Sequence, residues 1–282
     1  MPEPAAPALS HRLAVCSWSL RPSEPRELVE RLAACGVRAT QLALIPLLES
    51  EHWAKAASLL EASGIAIASG MVGMHGEDYS SLESIARTGG VRPDETWPAN
   101  LARCREAAAL AADLGLRLVT FHAGFIPEDA GDPGRRTVLE RLRELADLFA
   151  DHGVRIGLET GQENADTLLE ALEELARPDV GVNFDPANMI LYGMGDPVAS
   201  LEKLAPRVVQ MHAKDAVPTA VPGTWGREVP LGDGAVDWTA LLAVAAAIPD
   251  LPVAIEREAG EDRVDEIRLG RERLLEWWPA GR

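Results

Sequence analysis

The stretch Val208-Val209-Gln210-Met211-His212-Ala213-Lys214-Asp215 decides how the chain folds. With the period of two that a strand imposes, Val209, Met211 and Ala213 fall on one face and Gln210, His212 and Lys214 on the other. One face is apolar and the other carries chemistry. Four more short runs repeat the arrangement. Leu118-Val119-Thr120-Phe121-His122 turns Val119 and Phe121 away from His122, and Ile156-Gly157-Leu158-Glu159 separates Ile156 and Leu158 from Glu159. Val182-Asn183-Phe184-Asp185 and Val253-Ala254-Ile255-Glu256 do the same for Asp185 and Glu256. Five strands that each end in a polar residue opposite their bulky ones fit a parallel barrel. There the outward residues pack on helices and the C-terminal inward residues converge on one site.

Outward from these runs the alternation continues. The spacing predicts strands at 13–17, 40–44, 65–71, 117–122, from 154, 180–185, 208–213 and 253–256. Helices are predicted between them at 25–35, 50–63, 101–114, 136–152, 165–176, 197–204, 238–247 and 261–278. Two connections, 72–98 and 216–235, are longer than a barrel needs and read as irregular loops over the rim, where function is often carried. Eight strands alternating with eight helices, with no mid-chain linker, predict one (β/α)8 TIM barrel of the α/β class. It forms a single domain over 1–282, with residues 1–10 flexible. No Gly-x-Gly-x-x-Gly follows the first strand, so a Rossmann dinucleotide site lacks its fingerprint.

Composition narrows the function. Of 282 residues, 47% are hydrophobic and 25% charged, which suits a globular core. A formal net charge of -17 argues against a duplex-binding surface, which needs clustered Lys and Arg. Cys16, Cys35 and Cys104 are scattered without C-x-x-C spacing, which predicts a reducing compartment and no Cys-rich zinc site. Residues 1–10 do not read as a signal peptide, and no stretch approaches the ~20 apolar residues of a membrane helix. The expected home is the cytoplasm, with neither nucleic acid nor membrane as partner.

Glu159, Asp185, His212 and Glu256 supply three carboxylates and one imidazole at matching strand ends. Taken singly, an acid there often caps the next helix, and a lone His is often a core residue. Four together read as one shared divalent-metal site. The oxygen-rich set suits Mn²⁺, Mg²⁺ or Co²⁺, with Zn²⁺ as the alternative.

The segments Gly157-Leu158-Glu159-Thr160-Gly161, Asn183-Phe184-Asp185-Pro186-Ala187-Asn188, Gln210 to Asp215 and Ile255-Glu256-Arg257-Glu258 resemble the xylose isomerase-like barrel superfamily. The likeness is to its sugar phosphate isomerase/epimerase branch in particular, and Pro230-Leu231-Gly232-Asp233-Gly234 before Asp237-Trp238 shares it. It covers nearly the whole barrel and is specific from the fourth strand onward. The resemblance implies one divalent cation on Glu159, Asp185, His212 and Glu256, with Glu159 and Glu256 as the catalytic pair that moves protons at a sugar carbon. Two positions depart from the ketose 3-epimerases of the superfamily. They have a His three residues after the Asp ligand, where this chain has Asn188, which can bond a hydroxyl but carries no proton near neutral pH. They also have an Arg soon after the His ligand, where Lys214 and Asp215 stand here and the next Arg is Arg227.

Candidates for substrate binding are His122, by its inward parity, Asn188, and Gln162 with its neighbour Glu163, which follow the Glu ligand. Lys214 is one of three lysines, so a compact ammonium is wanted there, unless it pairs with Asp215. Trp18 and Trp225 are placed to stack on a sugar ring from the rim or to serve as packing. The expected reaction is isomerisation or epimerisation of a monosaccharide or close relative through a metal-stabilised enediolate, the glutamates taking and returning the proton. The nearest alternative expels a group from the same carbanion, as an inosose-type dehydratase or 3-keto-glycoside lyase would. A hydrolase of the apurinic endonuclease branch would call for a three-metal cluster with more His ligands. A barrel that binds a sugar without turning it over is the non-catalytic alternative. The partner expected is a small sugar or sugar derivative, with self-association into a homo-oligomer left open.

Overall fold

Eight parallel strands close on themselves. They are Leu13–Cys16 (β1), Ala39–Ala43 (β2), Ala66–Met71 (β3), Leu118–Phe121 (β4), Arg155–Glu159 (β5), Val180–Phe184 (β6), Val208–Ala213 (β7) and, after a hairpin of Asp215–Val217 (β8) and Arg227–Val229 (β9), Val253–Ile255 (β10). The order around the barrel is β1-β10-β7-β6-β5-β4-β3-β2. The computed structural model describes residues 9–221 and 223–279. Most of the flexible start expected at 1–10 lies outside the described residues, and Leu9–His11 forms a 3-10 turn on a buried Leu9. Among the described residues no helix is long and apolar enough to cross a membrane.

The parity argument holds for most of the barrel wall. Ile156, Leu158, Val182, Phe184, Met211 and Ala213 point outward into one apolar core shared with the helices, and that burial is the main source of stability. Val209 departs from the expected face. β7 bulges against β6, pairing Val182 with Val208 but Asn183 with Gln210, and the extra residue brings Val209 over Gly157 and Gly181. A Cβ on Gly181 would stand 2.5 Å from Val209 Cγ1, so only glycine fits beneath it.

The lumen above this plug is polar, where such barrels usually stack branched aliphatic residues. Ser69 Oγ donates to Gln210 Oε1 at 2.5 Å, Gln210 Nε2 to Asn183 Oδ1 at 3.1 Å, and Asn183 Nδ2 to Glu159 Oε2 at 3.3 Å. Gln41 Nε2 donates to Thr120 Oγ1 at 2.7 Å.

The connections differ more from expectation. The predicted helix at 50–63 is a 3-10 turn at Trp53–Lys55 followed by a shorter helix, Ala56–Ala62, and an unexpected short helix, Ile45–Glu49, precedes them. Within 72–98 a short helix, Leu82–Thr88, starts where Ser81 Oγ accepts from Ser84 N–H. The stretch 216–235 holds the β8–β9 hairpin. An unexpected helix, Pro186–Tyr192, follows β6, with Asp185 as N-cap, Pro186 at its first position and Gly193 at φ 70° as its stop.

Candidate metal centre

Each donor reaches the barrel mouth from a separate element. Glu159 ends β5, Asp185 and Glu256 directly follow β6 and β10, and His212 is the penultimate residue of β7. All four are buried, and one ligand atom from each lies within 4.8 Å of all the others. His212 Nδ1 stands 3.4 Å from Glu159 Oε1, 3.7 Å from Asp185 Oδ2 and 3.4 Å from Glu256 Oε2. Neighbouring donors at about 2.0–2.2 Å from a common centre are roughly 3–4 Å apart, so the spacing suits one cation. Two atoms of the ring, Asp185 Oδ2 and His212 Nδ1, are buried without a hydrogen-bond partner among the described residues. Buried polar atoms are rarely left so. The residues present therefore fit a divalent ion.

Asp185 serves twice. Its Oδ1 accepts from Asn188 N–H at 3.0 Å and caps the helix Pro186–Tyr192, which leaves Oδ2 for the ring. The helix start fixes the carboxylate plane, so capping and ligation do not compete.

The imidazole is oriented from behind. Thr120 Oγ1 lies 3.0 Å from Met71 Sδ and accepts from the Gln41 amide N–H, so Gln41 turns Oε1 toward His212 Nε2 at 2.7 Å. Asn183 Nδ2 also lies 3.0 Å from Nε2, so the Gln41 carbonyl is the nearer partner, and with Nε2 donating to it Nδ1 presents its lone pair to the ring. Parity within Ala39-Thr40-Gln41-Leu42-Ala43 would have found Gln41, but an amide is no metal ligand and drew no attention. Cys16 Sγ sits 3.8 Å from the same Nε2, outside the ring, and burial pushes its thiol up to about 12, so it remains neutral.

Charges balance within the cluster. Burial opposes ionisation of Glu256, but Lys214 and His212 outweigh it and hold the carboxyl well below its ordinary range. Glu159 is likewise lowered against burial, by His122 and His212. Burial would discharge His212, yet Glu159 and Glu256 raise it well above its usual value. Lys214 Nζ lies 2.9 Å from Glu256 Oε2 and 2.7 Å from Glu258 Oε2, and these carboxylates keep it charged in spite of burial. Its partner is therefore not Asp215. That carboxylate accepts from the N–H groups of Ala216, Gly232, Gly234 and Val236 and from Trp238 Nε1, tying the loop 216–235 to the barrel.

The remaining candidates divide. Asn188 Nδ2 donates to Glu159 Oε1 at 3.0 Å, and Trp18 Nε1 to Glu256 Oε1 at 2.7 Å. Each thus props a ring carboxylate while lining the cavity above it. His122 also lines the cavity, with Nε2 3.7 Å from Glu159 Oε1. Burial lowers its affinity for a proton, but Glu159 and Glu77 together raise it. Gln162 and Glu163 are buried, and neither borders the cavity. Trp225 does border it, edge to face with Tyr192. The cavity has a volume of about 680 Å³, with Glu77, Tyr79 and Glu258 also in its wall. Glu77 and Tyr79 come from the aperiodic stretch 72–98 and carried no sequence signal. Among the described residues, the other group of three metal-binding side chains, Cys16, His212 and Glu256, shares two members with this ring, so no three-metal cluster is built here.

The family described as xylose isomerase-like TIM barrel matches residues 29–277. A xylose isomerase domain protein from Planctomyces limnophilus is 32% identical, with a TM-score of 0.83 over 97% of this chain and 96% of that one. A xylose isomerase-like TIM barrel protein from Mycobacterium smegmatis, solved in complex with magnesium, is 17% identical with a TM-score of 0.71 over 95% of this chain and 97% of that one. That likeness shows the fold alone. A 3-dehydroshikimate dehydratase of Bacillus anthracis is 30% identical over 120 residues, 41% of this chain and 42% of that protein. The chain spans about half the length of the curated relatives it matches.

Proposed function

The chain belongs to the xylose isomerase-like TIM barrel family, and from that premise we propose a metal-dependent isomerase or epimerase that moves a proton beside the carbonyl of a sugar or close relative. The observation that carries this reading is the buried four-donor ring, with two unbonded atoms, beneath a cavity bordered by Glu256, Lys214, Asn188 and His122. Glu159, Asp185, His212 and Glu256 would hold Mn²⁺, Mg²⁺ or Co²⁺, whose Lewis acidity, when bound, acidifies the C–H beside a carbonyl and stabilises the charge left by its loss.

The chain's own groups supply the rest. Glu159 and Glu256 are both kept ionised, so either can accept a proton. They rise from β5 and β10, with β6 and β7 and their donors between them, an arrangement that allows one to take the proton and the other to return it. Their supports differ. Imidazoles lower Glu159, whereas the Lys214 ammonium in direct contact lowers Glu256 further, which makes Glu159 the stronger base.

Incubation of ketoses and 3-keto sugars in deuterium oxide should put solvent deuterium on one carbon. Glu159→Gln and Glu256→Gln keep a ligand oxygen but accept no proton, so exchange should fall ~10²-fold or more while metal content falls less. Exchange that persists in both variants would remove the two glutamates as proton carriers.

The likeness to a 3-dehydroshikimate dehydratase favours a second reading, elimination of a β-hydroxyl or glycosyl group. Lys214 would then protonate the leaving oxygen. Elimination makes a conjugated enone that absorbs in the ultraviolet, and epimerisation does not.

A further inference from the structure

The cavity offers more than the donor ring at its floor. At about 680 Å³ it falls within the roughly 300–1,000 Å³ that encloses a drug-sized ligand, and a bare hexose would leave much of it to water. Among its polar groups, Lys214, Asn188, His122 and Glu256 adjoin or belong to the ring. Much of the remaining lining is apolar, supplied by Ile45, Pro46, Met71, Met74 and Leu191. Tyr192 and Trp225 complete it with ring centroids 4.8 Å apart, and Phe125 backs Tyr192 at 5.8 Å. Thioethers and ring edges of this kind favour an aromatic guest.

Charge excludes other occupants. Lys214 is engaged by Glu256 and Glu258, and Arg103 by Glu49 and the Gly73 carbonyl. Glu77, Glu228, Glu256 and Glu258 all border the cavity. A phosphate or carboxylate on the ligand would meet acidic side chains while both of these cations are already engaged.

We propose that the cavity binds a neutral two-part ligand, an aryl glycoside, with its sugar-like head against Asn188, Lys214 and Glu256 and its aromatic group between Tyr192, Trp225 and the methionines. This rests on the floor being a sugar site, and binding, which needs no turnover, tests it.

Calorimetry on the full chain loaded with Mg²⁺ should compare phenyl and methyl glycosides of glucose, galactose and xylose in pairs, with glucose and glucose 6-phosphate. At least one phenyl glycoside should bind tenfold or more tightly than its methyl partner, as burial of one ring allows. Trp225→Ala should bring the phenyl affinity down to the methyl level, and Trp225→Phe should retain most of the preference. Metal content reports that both variants are folded. Equal affinities within every pair would overturn the proposal, as would a panel that does not bind. So would a phenyl advantage that survives in Trp225→Ala, or a 6-phosphate that binds more tightly than glucose. A phenyl preference without solvent deuterium exchange in any compound removes the proton-transfer reading and leaves the aryl subsite standing. Exchange into free ketoses without a phenyl preference does the reverse.

Discussion

Asp185 shows how one residue can satisfy both of the readings its position invites. By sequence an acid at a strand end reads as a helix cap or as a ligand, and the geometry, with Oδ1 on Asn188 N–H and Oδ2 unbonded, leaves room for both tasks. His212 depends on a neighbour that the sequence did not advertise. Gln41→Leu removes the acceptor for Nε2–H, so the affinity for Mn²⁺ should drop about 10–100-fold in a chelator competition, whereas His212→Ala should lose most of the metal. Equal affinity in Gln41→Leu and wild type would show that the imidazole is held otherwise. Glu163 permits a test of burial alone. Burial pushes it up to about 8, from 4.5 for an exposed carboxyl. Between those values the folded chain keeps a proton that the unfolded chain has released, so stability falls as pH rises through that window. Glu163→Gln should flatten the slope and stabilise the protein at pH 8 by on the order of 2–4 kcal/mol, read from urea unfolding at pH 5, 6.5 and 8. A slope unchanged by the substitution would assign the dependence to other groups.

At the scale of elements, strands were the legible part because their period of two survives in runs as short as Val182–Asp185. Short helices were not, since Pro186–Tyr192 has too few turns to show a period and is marked only by its cap, its proline and Gly193. A bulge leaves no trace in the pattern either, and Val209 was assigned to the wrong face for that reason. The hairpin β8–β9 was hidden in a stretch of Gly and Pro, yet its anchor stood in the stretch that decided the fold. Asp215 gathers five N–H donors, three from the loop 216–235 that carries Trp225 and two from Val236 and Trp238 just beyond it. Asp215→Ala strands these donors, several of them buried, and should cost about 3 kcal/mol or more in urea unfolding, with new protease cleavage confined to 216–235. Loss of stability without local cleavage would mean that the carboxylate supports the barrel and not the loop.

For the molecule as a whole, barrel closure and the meeting of four donors at one mouth followed from parity repeated on five strands. The cavity walls did not, because Tyr79, Glu77 and Trp225 come from connections without a period. A divalent ion held by Glu159, Asp185, His212 and Glu256 would join four strands, which would tie its binding to global stability. Removal of the ion with EDTA should lower the melting temperature, and Mn²⁺ at a hundred times its dissociation constant should restore about 2.7 kcal/mol. At one fixed free Mn²⁺ concentration the gain should be larger at pH 8 than at pH 6. Glu159 and Glu256 raise the proton affinity of His212, so at low pH that proton occupies the metal's place and already stabilises the metal-free protein. A pH-independent gain would argue against His212 as a ligand. The polar lumen adds a constraint of another kind. Ser69 on β3 reaches Gln210 on β7, which is diametrically opposite in the strand order, and Gln41 on β2 reaches His212 on β7. A chain cut between β4 and β5 would leave Ser69, Gln41 and Thr120 in one fragment and Asn183, Gln210 and His212 in the other. Each arc would carry away one end of both cross-lumen struts, Ser69–Gln210 and Gln41–His212, so the two halves would have to recognise each other by matching polar groups across the lumen as well as by their apolar flanks.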